Sequence, residues 1–184
     1  MKPTARWIWC AILGCMISAA AHAAATRTEI VQRDGKWQLI RDGQPYFIKG
    51  AGGGASKQLL ASLGGNSFRT WGTDGLDEQL EEARKLSLSV TVGIWLEHEG
   101  KKFNYDNADQ VAAQYERARQ TILKYKDHPC VLAWGIGNEM EGYKTGDKAA
   151  IWTAVNAIAV LAKQLDPNHP TMSVIAEIGG ARVR

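Results

Sequence analysis

Two adjacent residues, Asn138 and Glu139, carry the side chains best placed for chemistry. They close the run Val131-Leu-Ala-Trp-Gly-Ile-Gly-Asn-Glu139, an apolar stretch with interspersed glycines. Such a run suits a strand of a parallel sheet that is covered on both faces. Its C-terminal end is where α/β barrels place their reactive groups. Glu139 there is either a proton donor or simply an acid of the following loop. Arg69, Trp71, Trp95 and His98 add a cation, two broad aromatic faces and an imidazole. No metal constellation joins them, because the four histidines, at positions 22, 98, 128 and 169, show no ligand spacing.

A second motif competes for attention. Gly50-Ala-Gly52-Gly-Gly-Ala55 fits the dinucleotide fingerprint G-x-G-x-x-A, after one strand-like run and before a helix, with Asp74 about 20 residues on. The bland reading is a close-packed turn at the end of the first barrel strand. Exported proteins rarely use free NAD, and Arg69-Thr-Trp-Gly72 precedes the acid. No cofactor is therefore expected.

These groups must be held by something, and the pattern says what. Runs 29–33, 36–41 and 44–50 are β-like and are separated by Asp34-Gly35 and Asp42-Gly43, a strong hairpin signal. From there helix and strand alternate. Helical stretches cover 55–63, then Leu76, Leu80, Ala83 and Leu86 behind an N-cap at Asp74. They continue with Val111, Tyr115, Ala118 and Ile122, then Ile151, Val155, Ile158, Ala162 and Leu165. Strands fall at 66–72, 88–96, 131–138 and 171–176. A repeated β-α unit means a parallel sheet, either an open five-stranded one or the first part of a barrel.

Strand parity bears on that choice, since successive residues face opposite sides. Ser67, Arg69 and Trp71 share one face, as do Thr91, Gly93, Trp95 and Glu97, and Ala133, Gly135, Gly137 and Glu139. Each set begins small and ends in a large functional side chain. The opposite faces, with Phe68, then Val90, Val92 and Ile94, then Leu132, Trp134 and Ile136, are apolar and suited to helix cover. The parity favours a barrel interior with its mouth at the C-terminal ends. The fold class expected is α/β, an incomplete (β/α)8 TIM barrel of about the first five strands, preceded by a small antiparallel ribbon.

The first residues stand apart. Lys2 and Arg6 precede an almost wholly apolar stretch from Trp7 to Ala21, and Ala21-His22-Ala23 offers a cleavage site. This reads as a secretory signal peptide over 1–25, too short for a stable membrane span. Lipid attachment at Cys15 is the alternative. Export to the periplasm or the exterior follows. Taking Lys2 and Arg6 from the 22 basic residues leaves 20 against 19 acidic ones, so the basicity belongs mostly to the signal and nothing suggests nucleic acid. Cys10 and Cys15 leave with it. Cys130 is then alone, and a buried structural thiol is its reading. The ribbon occupies 26–45 and the barrel part 46–184. Oligomeric state is not legible.

Taken together, the motifs resemble a known family. Gly137-Asn138-Glu139 at the end of a fourth barrel strand resembles the acid/base signature of the clan of retaining β-glycosidases built on a TIM barrel. Gly65-Asn-Ser-Phe-Arg-Thr-Trp-Gly72 resembles that clan's second strand with its arginine. The ribbon, from Asp34-Gly-Lys-Trp37 to Gln44-Pro-Tyr-Phe-Ile-Lys-Gly50, is similar to the approach to the barrel in family 2-like glycoside hydrolases. The resemblance implies a carbohydrate substrate. It implies that Glu139 is the general acid and then the base, which requires a carboxyl that keeps its proton near neutral pH. Asn138 would bond the sugar hydroxyl beside the anomeric carbon, and Arg69 would orient the nucleophilic carboxylate. Trp71 and Trp95 could stack on sugar faces, with His98 beside them.

One element of the family pattern is missing. A retaining glycosidase needs two carboxylates about 5 Å apart, and the clan's nucleophile lies on a seventh strand. Glu97 and Glu177 have the parity to reach the same mouth, but neither holds that position. The expectation is a partial sequence, not competent as it stands. A non-catalytic carbohydrate-binding protein is the rival reading.

Overall fold

The computed structural model describes residues 25–141 and 148–176. Residues 1–24 of the expected signal peptide, with the lipidation candidate Cys15, and the acid Glu177 lie outside these residues. Strands β1 (Thr28–Arg33), β2 (Lys36–Arg41) and β3 (Gln44–Pro45) form an antiparallel sheet in that order. Both connections are the Asp-Gly pairs seen in the sequence. Asp34 and Gly35 have φ of 51° and 72°, and Asp42 and Gly43 have 50° and 72°. Two successive positive φ values give a turn whose twist matches that of the strands it joins.

The second sheet runs β4 (Gly50–Gly52), β5 (Ser67–Arg69), β6 (Ser89–Ile94), β7 (Val131–Ile136) and β8 (Thr171–Met172), all parallel and in sequence order. Helices α1 (Lys57–Ser62), α2 (Leu76–Lys85), α3 (Ala108–Tyr125) and α4 (Ala149–Leu165) make the crossovers. This is the arc of a partial TIM barrel with a small three-stranded sheet before it. The run 44–50 does not enter the main sheet whole. Gln44–Pro45 pairs with β2, and the barrel's first strand is Gly50–Gly52 itself.

Residues of the outer face form the core with the helices. Phe68, Val90, Val92, Ile94, Trp134 and Ile136 pack against Leu76, Leu80, Ala83, Ile122, Ile151 and Ile158. Parity fails at one place. The pairing of β6 with β7 shifts between Val90–Val131 and Thr91–Ala133, so Leu132 is an extra residue. Val131 takes the place in the outer cluster expected of Leu132, which is buried elsewhere. A bulge adds one residue to one strand and resets the alternation beyond it.

Asp74 does not cap α2. The cap position is Gly75, with φ of 60° and no side-chain cap bond, while Asp77 and Glu78 lie in the first turn. Their charge complements the helix's positive end in place of a cap. Asn107 caps α3, its Oδ1 accepting from the amides of Asp109 and Gln110.

The ribbon closes the N-terminal end of the sheet. The Tyr46 hydroxyl lies 2.9 Å from the Asn66 carbonyl and 3.0 Å from Ser89 Oγ. Arg41 donates to the Pro129 carbonyl at 2.9 Å, and the Thr28 amide to that of Asn168 at 2.8 Å. Those partners stand at the starts of β5, β6, β7 and β8. One small element thus fastens four strands. The opposite end is left to the loops.

Candidate active site

At the C-terminal rim β7 ends in a tight turn. Gly137 has φ of 69°, which strains any residue with a side chain, and a Cβ there would stand 2.5 Å from Met140 Cγ, so Met140 would have to shift. Asn138 follows, 9% exposed, and then Glu139, which is exposed with φ of 52°. A left-handed backbone at a residue with a side chain costs about 1 to 3 kcal/mol and persists where its surroundings enforce it. The Glu139 amide donates to the Val174 carbonyl at 2.9 Å, and the Gly137 amide to that of Ile94 at 2.9 Å. The turn is thereby tied to the exits of both neighbouring strands.

Arg69 joins this turn from β5. Its Nη2 donates to Asn138 Oδ1 at 2.7 Å, and its guanidinium lies 5.4 Å from the centroid of the Trp71 ring. Nε is buried without a hydrogen-bond partner. Burial lowers the guanidinium below its ordinary value, and the nearby Glu139 charge opposes that. The group stays cationic, as arginine does in proteins. Arg69, Trp71, Asn138 and Glu139 are therefore brought together.

Trp71 rests on the glycine-rich strand, its ring edge 3.1 Å from where a Cβ on Gly52 would be. This explains the motif that mimics a dinucleotide fingerprint. Gly50–Gly52 is strand rather than turn, and its bareness seats an indole. The strand order also runs in one direction, without the reversal at which doubly wound sheets bind dinucleotides.

Trp95 and His98 form a second group on the adjoining strand exit. Their rings stack with centroids 5.7 Å apart and an interplanar angle of 28°. Trp95 is 45% exposed and Trp71 41%, a large open surface for two indoles. Between Trp95 and His98, Glu97 is exposed while its backbone is fixed from behind. Its amide donates to Gln114 Oε1 at 2.8 Å, and its carbonyl accepts from the Tyr105 hydroxyl at 2.7 Å.

Several rim residues escaped the sequence reading. Glu141 is buried, and its Oε1 accepts from the Ala176 amide. Lys148 bonds Glu99 and Asp106, each at 2.8 Å, and so ties the loop after β6 to the start of α4. These partners are more than 30 residues apart, and no local pattern announces them. The spacing Glu139-x-Glu141 was visible, but nothing in it distinguished a buried acid from an exposed one. Among the described residues no group of His, Cys, Asp or Glu could hold a metal ion, and no helix is long and apolar enough to cross a membrane.

The fold is a partial β/α barrel with a carboxylate, an amide and an arginine on its C-terminal rim. Residues 79–177, more than half of the chain, match the family described as "Glycosyl hydrolases family 2, TIM barrel domain", and the chain belongs to it. Among solved structures it is similar to a β-glucuronidase of Faecalibacterium prausnitzii, with a TM-score of 0.60 and 21% identity, covering 82% of this chain and 28% of that one. A β-glucuronidase of Ruminococcus gnavus gives 0.59 and 15%, with 82% and 27% covered. A β-glucanase of Saccharophagus degradans gives 0.56 and 16%, with 82% and 53% covered. At these identities the likeness is one of fold, and the chain spans a quarter to a half of the length of these proteins. No curated protein matches the chain.

Proposed function

We propose that this chain is the acid/base-bearing part of a retaining glycoside hydrolase acting on β-linked oligo- or polysaccharides. The observation that carries the reading is the Arg69–Asn138 hydrogen bond, which gathers the arginine of β5 with the Asn138-Glu139 pair at the end of β7 on one rim. Family membership supports the same class of chemistry. In this mechanism the Glu139 carboxyl gives its proton to the departing glycosidic oxygen while a second carboxylate attacks the anomeric carbon. Glu139 then takes a proton from the water that releases the sugar. Asn138 holds the hydroxyl beside the reacting carbon, and Arg69 orients the attacking carboxylate. Trp71, Trp95 and His98 offer the stacking faces. The second carboxylate is proposed to lie on a strand beyond Arg184. Export through a cleaved signal peptide in 1–25 completes the proposal.

The test is turnover of aryl β-glucosides and β-glucuronides. Glu139→Gln in the full-length protein lowers kcat about 10²- to 10⁴-fold with the thermal midpoint unchanged. Normal turnover removes Glu139 from its role. Robust turnover by the 184-residue chain that survives Glu97→Gln defeats the need for an acid beyond Arg184.

A second reading rests on the exposed indoles. Trp71 and the Trp95–His98 stack would suit a protein that binds carbohydrate without cleaving it. Tryptophan fluorescence that responds to oligosaccharides and is lost in Trp95→Ala, with no hydrolysis by the full-length protein, would establish it.

A further inference from the structure

Glu141 has no place in that mechanism, yet its setting is unusual for a surface-loop acid. It is 7% exposed, its Oε1 accepts from the Ala176 amide, and its Oε2 is buried without a hydrogen-bond partner. Burying a carboxylate with one oxygen unsatisfied is costly, so the remaining contact must accomplish something. That contact ties the residue two beyond Glu139 to the chain leaving β8. The Glu139 amide is tied to the same segment through the Val174 carbonyl. Between the two ties stands the left-handed backbone of Glu139. Met140, 2% exposed and packed on Gly137, prevents the intervening residue from turning over.

We propose that Glu141 is a positioning residue. Its bond to Ala176 locks the 139–141 turn against the β8 exit and so keeps the Glu139 carboxyl aimed at the rim. The inference rests on the reading of Glu139 as the acid. Its chemical content is specific, because a displaced acid still permits departure of a good leaving group but cannot assist a poor one.

Two measurements test it, using Glu141→Ala, Glu141→Gln and the unaltered chain. In the first, amide exchange is followed by NMR, with the Trp134 indole as a control for folding. Glu141→Ala should speed exchange at both Ala176 and Glu139, and Glu141→Gln, which keeps an acceptor oxygen, should restore protection. Unchanged Glu139 protection in folded Glu141→Ala overturns the proposal. Ala176→Pro removes the same donor from the other side, and serves if Glu141→Ala does not fold. In the second, the full-length protein is given 2,4-dinitrophenyl and 4-methoxyphenyl β-glycosides. In kcat/KM, which reports the bond-breaking step alone, Glu141→Ala should lose about tenfold or more on the methoxyphenyl substrate relative to the dinitrophenyl one, a part of what general acid catalysis contributes. Equal loss on both overturns the proposal. Faster Glu139 exchange in Glu141→Ala together with normal turnover in Glu139→Gln would instead refute the acid role and leave the lock standing.

Discussion

Arg69 and Asn138 meet at 2.7 Å although 69 residues separate them. The contact crosses from β5 to the end of β7, over the β6 strand between them. It is the one direct side-chain bond between the two sequence motifs that resemble the glycosidase clan. Removing Arg69 should therefore be felt at Asn138. Arg69→Met leaves Oδ1 of a nearly buried amide unpaired, which costs about 1 to 3 kcal/mol. Urea unfolding reads this directly. Arg69→Lys should recover only part, since an ammonium cannot reproduce the planar fork that also faces Trp71.

A buried trio pins the end of α4 to β7. Trp134 Nε1 donates to Asp166 Oδ2 at 2.8 Å, and His169 Nδ1 lies 2.7 Å from the same oxygen. Burial alone would push the Asp166 carboxyl up, but the bonds from His169 and Trp134 outweigh it and hold it below its ordinary value. A depressed carboxyl adds stability that is present above the unfolded value of about 3.9 and is lost as pH falls through the folded value. Asp166→Asn should be less stable than the parent at pH 7, with the difference shrinking below about pH 4. Thermal midpoints from pH 7 to pH 2 check it. A gap that stays constant would assign the effect to packing.

Trp134→Phe tests the same trio at neutral pH. It removes one bond to a charged acceptor, a loss of about 1.5 to 3 kcal/mol, and the denaturant midpoint should fall accordingly.

Gly93 tolerates no side chain. A Cβ there would stand 2.3 Å from the Thr70 carbonyl oxygen, and the Gly93 amide donates to Thr70 Oγ1 at 2.9 Å. Gly93→Ala should cost at least about 1 to 3 kcal/mol, because the obstacle is backbone rather than a side chain that can swing away. Equal stability by calorimetry would mean that β5 and β6 can part without penalty.

Most of the architecture could be read from the residues. The Asp-Gly turns, the β-α alternation and the apolar faces of β6 and β7 announce themselves by local chemistry and period. What could not be read depends on exceptions to a period or on distant partners. The bulge at Leu132 is one such exception. Gly50–Gly52 is another, since three residues with no side chain larger than methyl look like a turn until Trp71 is seen lying on them. Asp74 is a sound cap by composition, but the left-handed Gly75 displaces it. On the rim, Asn138, Glu139 and Arg69 are marked by motif. Glu141 and Lys148 are defined by Ala176, Glu99 and Asp106, partners that only the folded chain brings near.

The ribbon has a consequence for the order of events in folding. Thr28, Arg41 and Tyr46 find their partners at Asn168, Pro129, Asn66 and Ser89, and the Arg41 contact alone spans 88 residues. Contacts so distant in sequence form slowly, because the loop must close before anything is gained. On the ribosome the ribbon is among the first parts of the barrel to emerge, yet its complete seat exists only after β8 has joined the arc. The ribbon strands, made before β4 to β8, are thus fully secured only when the last of those five is in place.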